Sequence, residues 1–212
     1  MTAQFSEFKD ASIYITGGGN GIGAALTEGF VKQGARVAIV GRSDATDFCD
    51  EMEQKHGNRP HFMQCDITDI ERLKATMNEA AERHGPITTL INNAANDKRH
   101  ATSEIDEDFY NWMMDINFKA YVFACQHVAP MMAAAGGGSI INFTSISYMM
   151  GNAGYPLYTA ANSAINGLTR SLARAFGPDK IRVNALAPGW VLTQQQQDMW
   201  VAEDGLAAHR ER

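Results

Sequence analysis

Residues Tyr14 to Gly34 read YITGGGNGIGAALTEGFVKQG, and this stretch decides the fold. A β-rich apolar run, Ser12–Thr16, stops abruptly at glycines: Gly17, Gly18, Gly19, Gly21 and Gly23 fall within seven positions. Beyond them Ile22, Leu26, Phe30 and Val31 recur on one face of a helix. Strand, glycine turn and helix together make a phosphate-binding site the expectation. Glycine lets the backbone reach positive φ and lets a ligand approach without meeting a Cβ. The helix that opens there presents unpaired N–H groups and the positive end of its dipole to a pyrophosphate. Two spacings coexist. Gly19-x-Gly21-x-x-Ala24 fits the loose dinucleotide form, and Gly17-x-x-x-Gly21-x-Gly23 fits T-G-x-x-x-G-I-G. The loop by itself points to a nucleotide and says nothing about catalysis.

The rest of the composition narrows the class. The chain has 212 residues, 45% of them hydrophobic, enough for one domain with a sizeable core. A net charge of −6 speaks against nucleic-acid and anionic-membrane partners. The first dozen residues hold no apolar signal core. The most apolar later stretch, 120–135, is interrupted by Gln126, His127 and Pro130, too polar to span a bilayer. Cys49, Cys65 and Cys125 are odd in number and far apart, which reads as reduced thiols in a cytoplasm. The histidines form no H-x-x-x-H pair, and no metal site is expected.

Taken in order, Arg36–Val40 is a second strand. In a nucleotide-binding βαβ unit, an acidic residue near its end would bind the adenine ribose 2′-hydroxyl. Here Gly41, Arg42 and Ser43 stand in that place. A guanidinium pairs with a 2′-phosphate where a carboxylate would repel it, so NADP is expected over NAD. Asp44 nearby, and the reading of Arg42 as an ordinary surface arginine, keep NAD open. Residues 44–56 read as a polar helix closed by Gly57, and His61–Cys65 as a third strand. Asp66 then suits either an adenine amino group or the cap of the next helix, 69–84, with Leu73 and Met77 inward. Residues 89–95 form a fourth strand and its exit, with adjacent Asn92 and Asn93 that need backbone or ligand partners.

A strongly polar loop, Asn96–His100, follows, then an expected long helix over 106–135 with Asn117 in mid-element, where asparagine is a poor helix former. Ser139–Ser145 is the fifth strand, 156–176 a helix, and Ile181–Leu186 the sixth strand. Six β–α alternations imply an α/β fold: a Rossmann-type doubly wound parallel sheet with helices on both faces, three layers in all. Ligands of such sheets lie beyond the carboxyl ends of the strands, where every polar cluster named above falls.

These residues resemble the short-chain dehydrogenase/reductase family. The matches are Thr16–Gly23, Asp66, Asn92–Ala95, Asn117, Ser145, Tyr158 and Pro188-Gly-x-x-x-Thr193, in the family's order along the whole chain. The resemblance implies that Ser145 binds and polarises the substrate oxygen, Tyr158 passes the proton and Asn117 holds a water in a proton relay. Asn92 and Thr193 would lie against the cofactor. It further implies cofactor contacts from Gly17, Gly19, Asn20, Gly21, Ile22, Gly23, Arg42, Asp66, Ile67, Asn93, Ala94, Pro188, Gly189 and Val191. The helices over 106–135 and 156–176 would pair across a two-fold axis in a homodimer or homotetramer.

Two departures stand out. The family pattern Tyr-x-x-x-Lys appears here as Tyr158-Thr-Ala-Ala-Asn162, so an amide occupies the place of an ammonium one helical turn on. Family members also continue into a seventh strand. This sequence stops in a lid region, 190–212, which leaves the sixth strand as an expected sheet edge of a single domain over 1–212. Within the family the likeness is greatest to sugar 1-dehydrogenases, which oxidise an aldose to its lactone. It rests on Asn96–His100, Ser145–Ser147 and the Gln-rich stretch near Trp200. Many directional hydrogen bonds suit a polyhydroxyl substrate, so Asn96, Arg99, His100 and Ser147 are its expected contacts. A 3-oxoacyl or ketone reductase of the same fold, and a catalytically weakened NADP(H)-binding protein, remain the alternatives.

Overall fold

The computed structural model describes residues 3–193. Six parallel strands form one sheet in the order β3-β2-β1-β4-β5-β6: β1 Ser12–Thr16, β2 Arg36–Gly41, β3 His61–Gln64, β4 Thr89–Asn92, β5 Gly138–Phe143 and β6 Ile181–Leu186. The order reverses at β1, so β1 and β4 leave a crevice at their carboxyl ends, the place where doubly wound sheets bind ligands. Every residue of β1 is buried, and alternation along the strand sends neighbours to opposite faces. Tyr14 joins Ala38, Leu90 and Ile140 under α3 (Ile70–His84) and α5 (Ala120–Ala134). Ile13 and Ile15 join Val37, Ile39 and Ile91 under α1 (Gly21–Lys32) and α2 (Thr46–His56). The result is the expected three-layer α/β/α sandwich.

Local chemistry explains the boundaries. Asp69 caps α3 by accepting from the Arg72 N–H at 2.9 Å, and Gly57 ends α2 in the left-handed region at φ 69°. The expected helix over 106–135 is divided. Asp106 caps α4 (Glu107–Met114) through the Phe109 N–H at 2.8 Å, and a π turn over Asp115–Lys119 joins it to α5. The Ala120 N–H reaches back to the Asp115 carbonyl, so one extra residue is accommodated with Asn117 inside the turn. A four-residue helix, α6 (Ser147–Met150), lies between β5 and α7 (Pro156–Phe176) and has no counterpart in the sequence reading. β6 is the last strand among the described residues. Of the 190–212 lid, residues 194–212, including the Gln-rich stretch and Trp200, lie outside the described residues.

His84 sits at the end of α3, its Nδ1 buried without a hydrogen-bond partner among the described residues. Burial above all, helped by the neighbouring His61, Arg83 and Arg36, lowers its imidazole to about 4. The folded value lies below the unfolded one, so the stability that goes with the neutral ring is complete above pH ~6.5 and is lost as pH falls toward 4. His84→Gln should therefore flatten the acid limb of stability by on the order of 2 kcal/mol at pH ~4.5. Urea unfolding of both proteins at neutral and acid pH checks this. Parallel losses in the two would refute it.

Candidate active site

A cleft of about 1310 Å3 opens over the carboxyl ends of the strands. Its floor is the glycine loop. Gly17 and Gly21 adopt positive φ, 68° and 52°. A Cβ on Gly23 would stand 1.9 Å from the Gly17 carbonyl oxygen, and one on Gly18 would stand 2.5 Å from Ile39. The loop is thus as thin as a backbone can be where a pyrophosphate has to approach. Asn20 starts α1 without a side-chain cap, and Gly21, Ile22 and Gly23 of the first turn line the cleft. These features fit a dinucleotide cofactor.

Thr16 and Asn93 fasten this floor to β4. Thr16 Oγ1 accepts from the N–H groups of Asn93 (2.9 Å) and Ala94 (3.0 Å). Asn93 Nδ2 donates to the carbonyls of Thr16 (3.0 Å) and Gly17 (3.2 Å). Asn93 and Ala94 line the cleft as expected. Asn92 does not, which corrects its expected place against the cofactor. It points into the core, donating from Nδ2 to Asn142 Oδ1 at 2.9 Å, and Asn142 passes the chain on to Thr169 at 3.0 Å. The cause is strand alternation: consecutive residues face opposite ways, and the parallel register sets Asn92 beside Asn142.

At the adenine end, Arg42 is exposed along the cleft and makes no ion pair among the described residues. Asp44, its possible competitor, turns back to α2, accepting from the Thr46 N–H (2.9 Å) and hydroxyl (2.6 Å), which holds its carboxyl below the usual range. Asp66 Oδ1 accepts from the Thr68 N–H at 3.0 Å and hydroxyl at 2.8 Å, while Asp69 supplies the cap of α3. Asp66 and Ile67 both line the cleft. Pro188, Gly189, Val191 and Thr193 close the opposite side, with Thr193 Cγ2 lying 3.3 Å from the position of a Cβ on Gly21.

Ser145, Tyr158 and Asn162 meet in the deep part of the cleft. The Ser147 N–H donates to Ser145 Oγ at 3.1 Å, which orients the hydroxyl. Burial raises the Tyr158 phenol above its ordinary value; hydrogen bonds to Ser145 and Asn162 pull it down, and the Asp97 carboxylate pushes it up. Asn162 is 3% exposed and donates from Nδ2 to the Tyr158 carbonyl at 2.8 Å. Asn117 is buried within the π turn. Its Oδ1 accepts from the Asn96 N–H at 2.8 Å, and its Nδ2 donates to the carbonyls of Asn96 and Met113, both at 3.0 Å. Its carboxamide therefore clamps the entrance of the polar loop.

That loop supplies one wall. Asn96 and Arg99 line it, and the Arg99 guanidinium carbon sits 3.9 Å above the Tyr155 ring. Ser147 is 4% exposed, and its Oγ has no hydrogen-bond partner among the described residues. His100 is the second correction. It is buried, absent from the cleft wall, and its Nε2 meets the Leu157 N–H of α7 at 3.3 Å. Asp97, Asn152 and Tyr155 line the cleft without having been picked out from the sequence; only Asp97, inside the polar loop, offered a signal there. No group of three or more His, Cys, Asp or Glu among the described residues could hold a metal. No described helix is long and apolar enough to cross a membrane.

A doubly wound sheet with a glycine cradle and a serine–tyrosine pair facing one cleft defines an oxidoreductase that works with a nicotinamide dinucleotide. Comparison with known proteins agrees. The sequence model of the family described as short chain dehydrogenase matches residues 11–204. The chain is 41% identical over 213 residues to "Probable galactose dehydrogenase GalD" of Rhizobium meliloti, covering 100% of this chain and 83% of that protein. It is 38% identical over 207 residues to D-xylose 1-dehydrogenase of Caulobacter vibrioides, covering 97% and 82%. Among solved structures it is similar to a short-chain type dehydrogenase/reductase from Mycobacterium ulcerans, with a TM-score of 0.87, 26% identity and coverage of 95% and 74%. It is also similar to an NADH-dependent reductase complexed with NAD, with a TM-score of 0.81, 28% identity and coverage of 88% and 81%. The chain belongs to the short-chain dehydrogenase/reductase family.

Proposed function

We propose that this chain is an aldose dehydrogenase that prefers NADP over NAD and acts in the cytoplasm as a homodimer or homotetramer on a small polyhydroxyl substrate. The observation that carries the reading is the pairing, in one cleft, of Ser145 and Tyr158 with a wall of directional polar groups. Asn96, Arg99 and the unpartnered Ser147 hydroxyl are such groups. A hydroxylated substrate can hydrogen-bond to that wall, whereas an apolar ketone offers the buried Ser147 hydroxyl no partner, at a cost. The names of the galactose and D-xylose dehydrogenases above support the same substrate class.

When bound, the oxidised nicotinamide supplies the two-electron acceptor. The chain's own residues do the rest. Ser145 donates a hydrogen bond to the reacting oxygen, and Tyr158 receives its proton. Asn162 favours one alternative, a protein that binds NADP(H) but turns over slowly, because an amide stands one helical turn from the phenol where the family pattern has an ammonium.

A cofactor-reduction screen of aldoses and secondary alcohols with both NAD and NADP tests the reading. Turnover of D-galactose or D-xylose is expected. Arg99→Ala should raise KM for the active aldose about tenfold and leave cofactor affinity unchanged, the loss of one charged hydrogen-bonding group. Activity confined to hydrophobic ketones would select a ketone reductase. Cofactor binding without turnover would select the weakened protein.

For the cofactor, Arg42→Ala should weaken NADP by roughly ten- to a hundredfold, as expected for a charge-assisted contact to phosphate, with little change for NAD. Equal losses for the two in a binding titration would overturn the NADP preference.

A further inference from the structure

Pro156 opens α7 without an N–H of its own, so the N–H of Leu157 is the first the helix has to satisfy. Tyr155, at the cap position, makes no side-chain cap bond. The acceptor comes instead from a residue 57 positions earlier: His100 Nε2 lies 3.3 Å from the Leu157 N. The other ring nitrogen, Nδ1, lies 2.9 Å from the Lys98 carbonyl oxygen. A carbonyl only accepts and a backbone amide only donates, so these partners assign the tautomer: Nδ1 carries the hydrogen and Nε2 the lone pair. The His100 N–H also donates to the Gly154 carbonyl at 2.8 Å, and Phe109 packs edge-on at 4.9 Å between ring centroids. The imidazole is 5% exposed, so water does not substitute for these bonds.

The residue after Leu157 is Tyr158, and the residue before His100 is Arg99, whose guanidinium stacks on Tyr155. The Tyr155 and Tyr158 rings stand 5.8 Å apart. His100 therefore joins the substrate-facing wall to the turn of helix that carries the proton-transferring phenol. We propose that His100 is a positioning residue: a distant N-cap that locks the 96–100 loop onto the first turn of α7 and fixes Tyr158 relative to the substrate. The catalytic part of this rests on the reading of Ser145 and Tyr158 above. The mechanical part does not.

Three variants separate its two bonds. In His100→Gln, Oε1 reaches the place of Nε2 and keeps the cap. His100→Asn retains a donor near Nδ1 and loses the cap. His100→Phe fills the space and loses both. Two readouts are taken on the full chain: amide hydrogen exchange of Leu157 and Tyr158, and kcat and KM on D-galactose and D-xylose with NADP. For Asn and Phe, exchange of the two amides is expected to quicken about tenfold or more. Their kcat/KM should fall at least tenfold, mainly in kcat, with NADPH binding unchanged, because a small displacement at a reacting group is costly. Gln should stay within about threefold of the parent in both readouts. If Phe fails to fold, the contrast of Gln with Asn decides. A folded Asn or Phe variant that matches the parent, or a Gln variant as impaired as Asn, overturns the proposal. If the parent turns over neither sugar, the aldose reading fails while the exchange data still decide the mechanical role.

Discussion

Asn162→Lys should raise kcat at neutral pH by roughly thirtyfold. A phenol that titrates near pH ~10 is ionised to about one part in a thousand at pH 7, a deficit of roughly 4 kcal/mol for a proton acceptor. In this cleft the deficit is deepened, since burial and the Asp97 carboxylate both hold the Tyr158 proton on. An ammonium one helical turn away opposes both, and recovering half of the ~4 kcal/mol gives the stated factor. The substitution is tolerable. The interactions lost, from Asn162 to the Tyr158 carbonyl and to its phenol, are both within the helix turn that receives the ammonium, and the side chain already faces the cleft. The rise of kcat with pH should move to lower pH, because the phenolate forms more readily. Tyr158→Phe in the same background should abolish the gain. A folded, cofactor-binding Asn162→Lys protein with an unmoved rate and profile would show that the missing cation does not limit turnover.

Gly23→Ala should cut cofactor affinity by a hundredfold or more. The added Cβ would lie 1.9 Å from the Gly17 carbonyl oxygen and 2.8 Å from Asn93 Nδ2, a side chain that itself holds the Thr16 and Gly17 carbonyls. Nothing there is the free end of a flexible chain, so the loop has to move, and overpacking of this kind costs roughly 1–3 kcal/mol before any loss of phosphate contacts. Gly29, in the same helix, has no atom within 4 Å of its would-be Cβ. Gly29→Ala should bind cofactor normally and gain up to about 1 kcal/mol of stability from helix propensity. NADPH fluorescence titration and thermal melts compare the pair. Normal binding by Gly23→Ala would mean that the cradle yields more readily than its contacts indicate.

Much of the architecture was legible because local signals and tertiary demands agree. Ser12–Thr16 sets Ile13, Tyr14 and Ile15 side by side with no charged residue, and it is buried on both faces. The bounds of α7 follow from Pro156 at its start and Gly177-Pro178 beyond its end. What could not be read depends on partners far along the chain. Asn92 and Asn93 are chemically identical neighbours, and only the register of β4 on β5 sends one to Asn142 and leaves the other at the glycine loop. His100 belongs to a run of charged residues that suggests a solvated or ligand-facing loop. Its burial follows from the need of an α7 amide 57 positions away. The division of the 106–135 helix was hidden because a single inserted residue leaves the apolar pattern on either side intact.

That inserted residue makes chain length, more than side-chain identity, the quantity to which this region is sensitive. Removing one residue from 115–119 would leave a sequence fully able to form an unbroken α-helix. The wide turn takes up that residue, so without it α5 would keep its phase toward the sheet and only the turn itself would tighten. Ala124, Cys125 and Val128 would stay against the sheet they now cover, while Asn117 would lose the widened turn that holds it to the backbone of Asn96. A gap in this segment between otherwise similar sequences therefore marks a different active-site architecture, while several substitutions at the same positions need not.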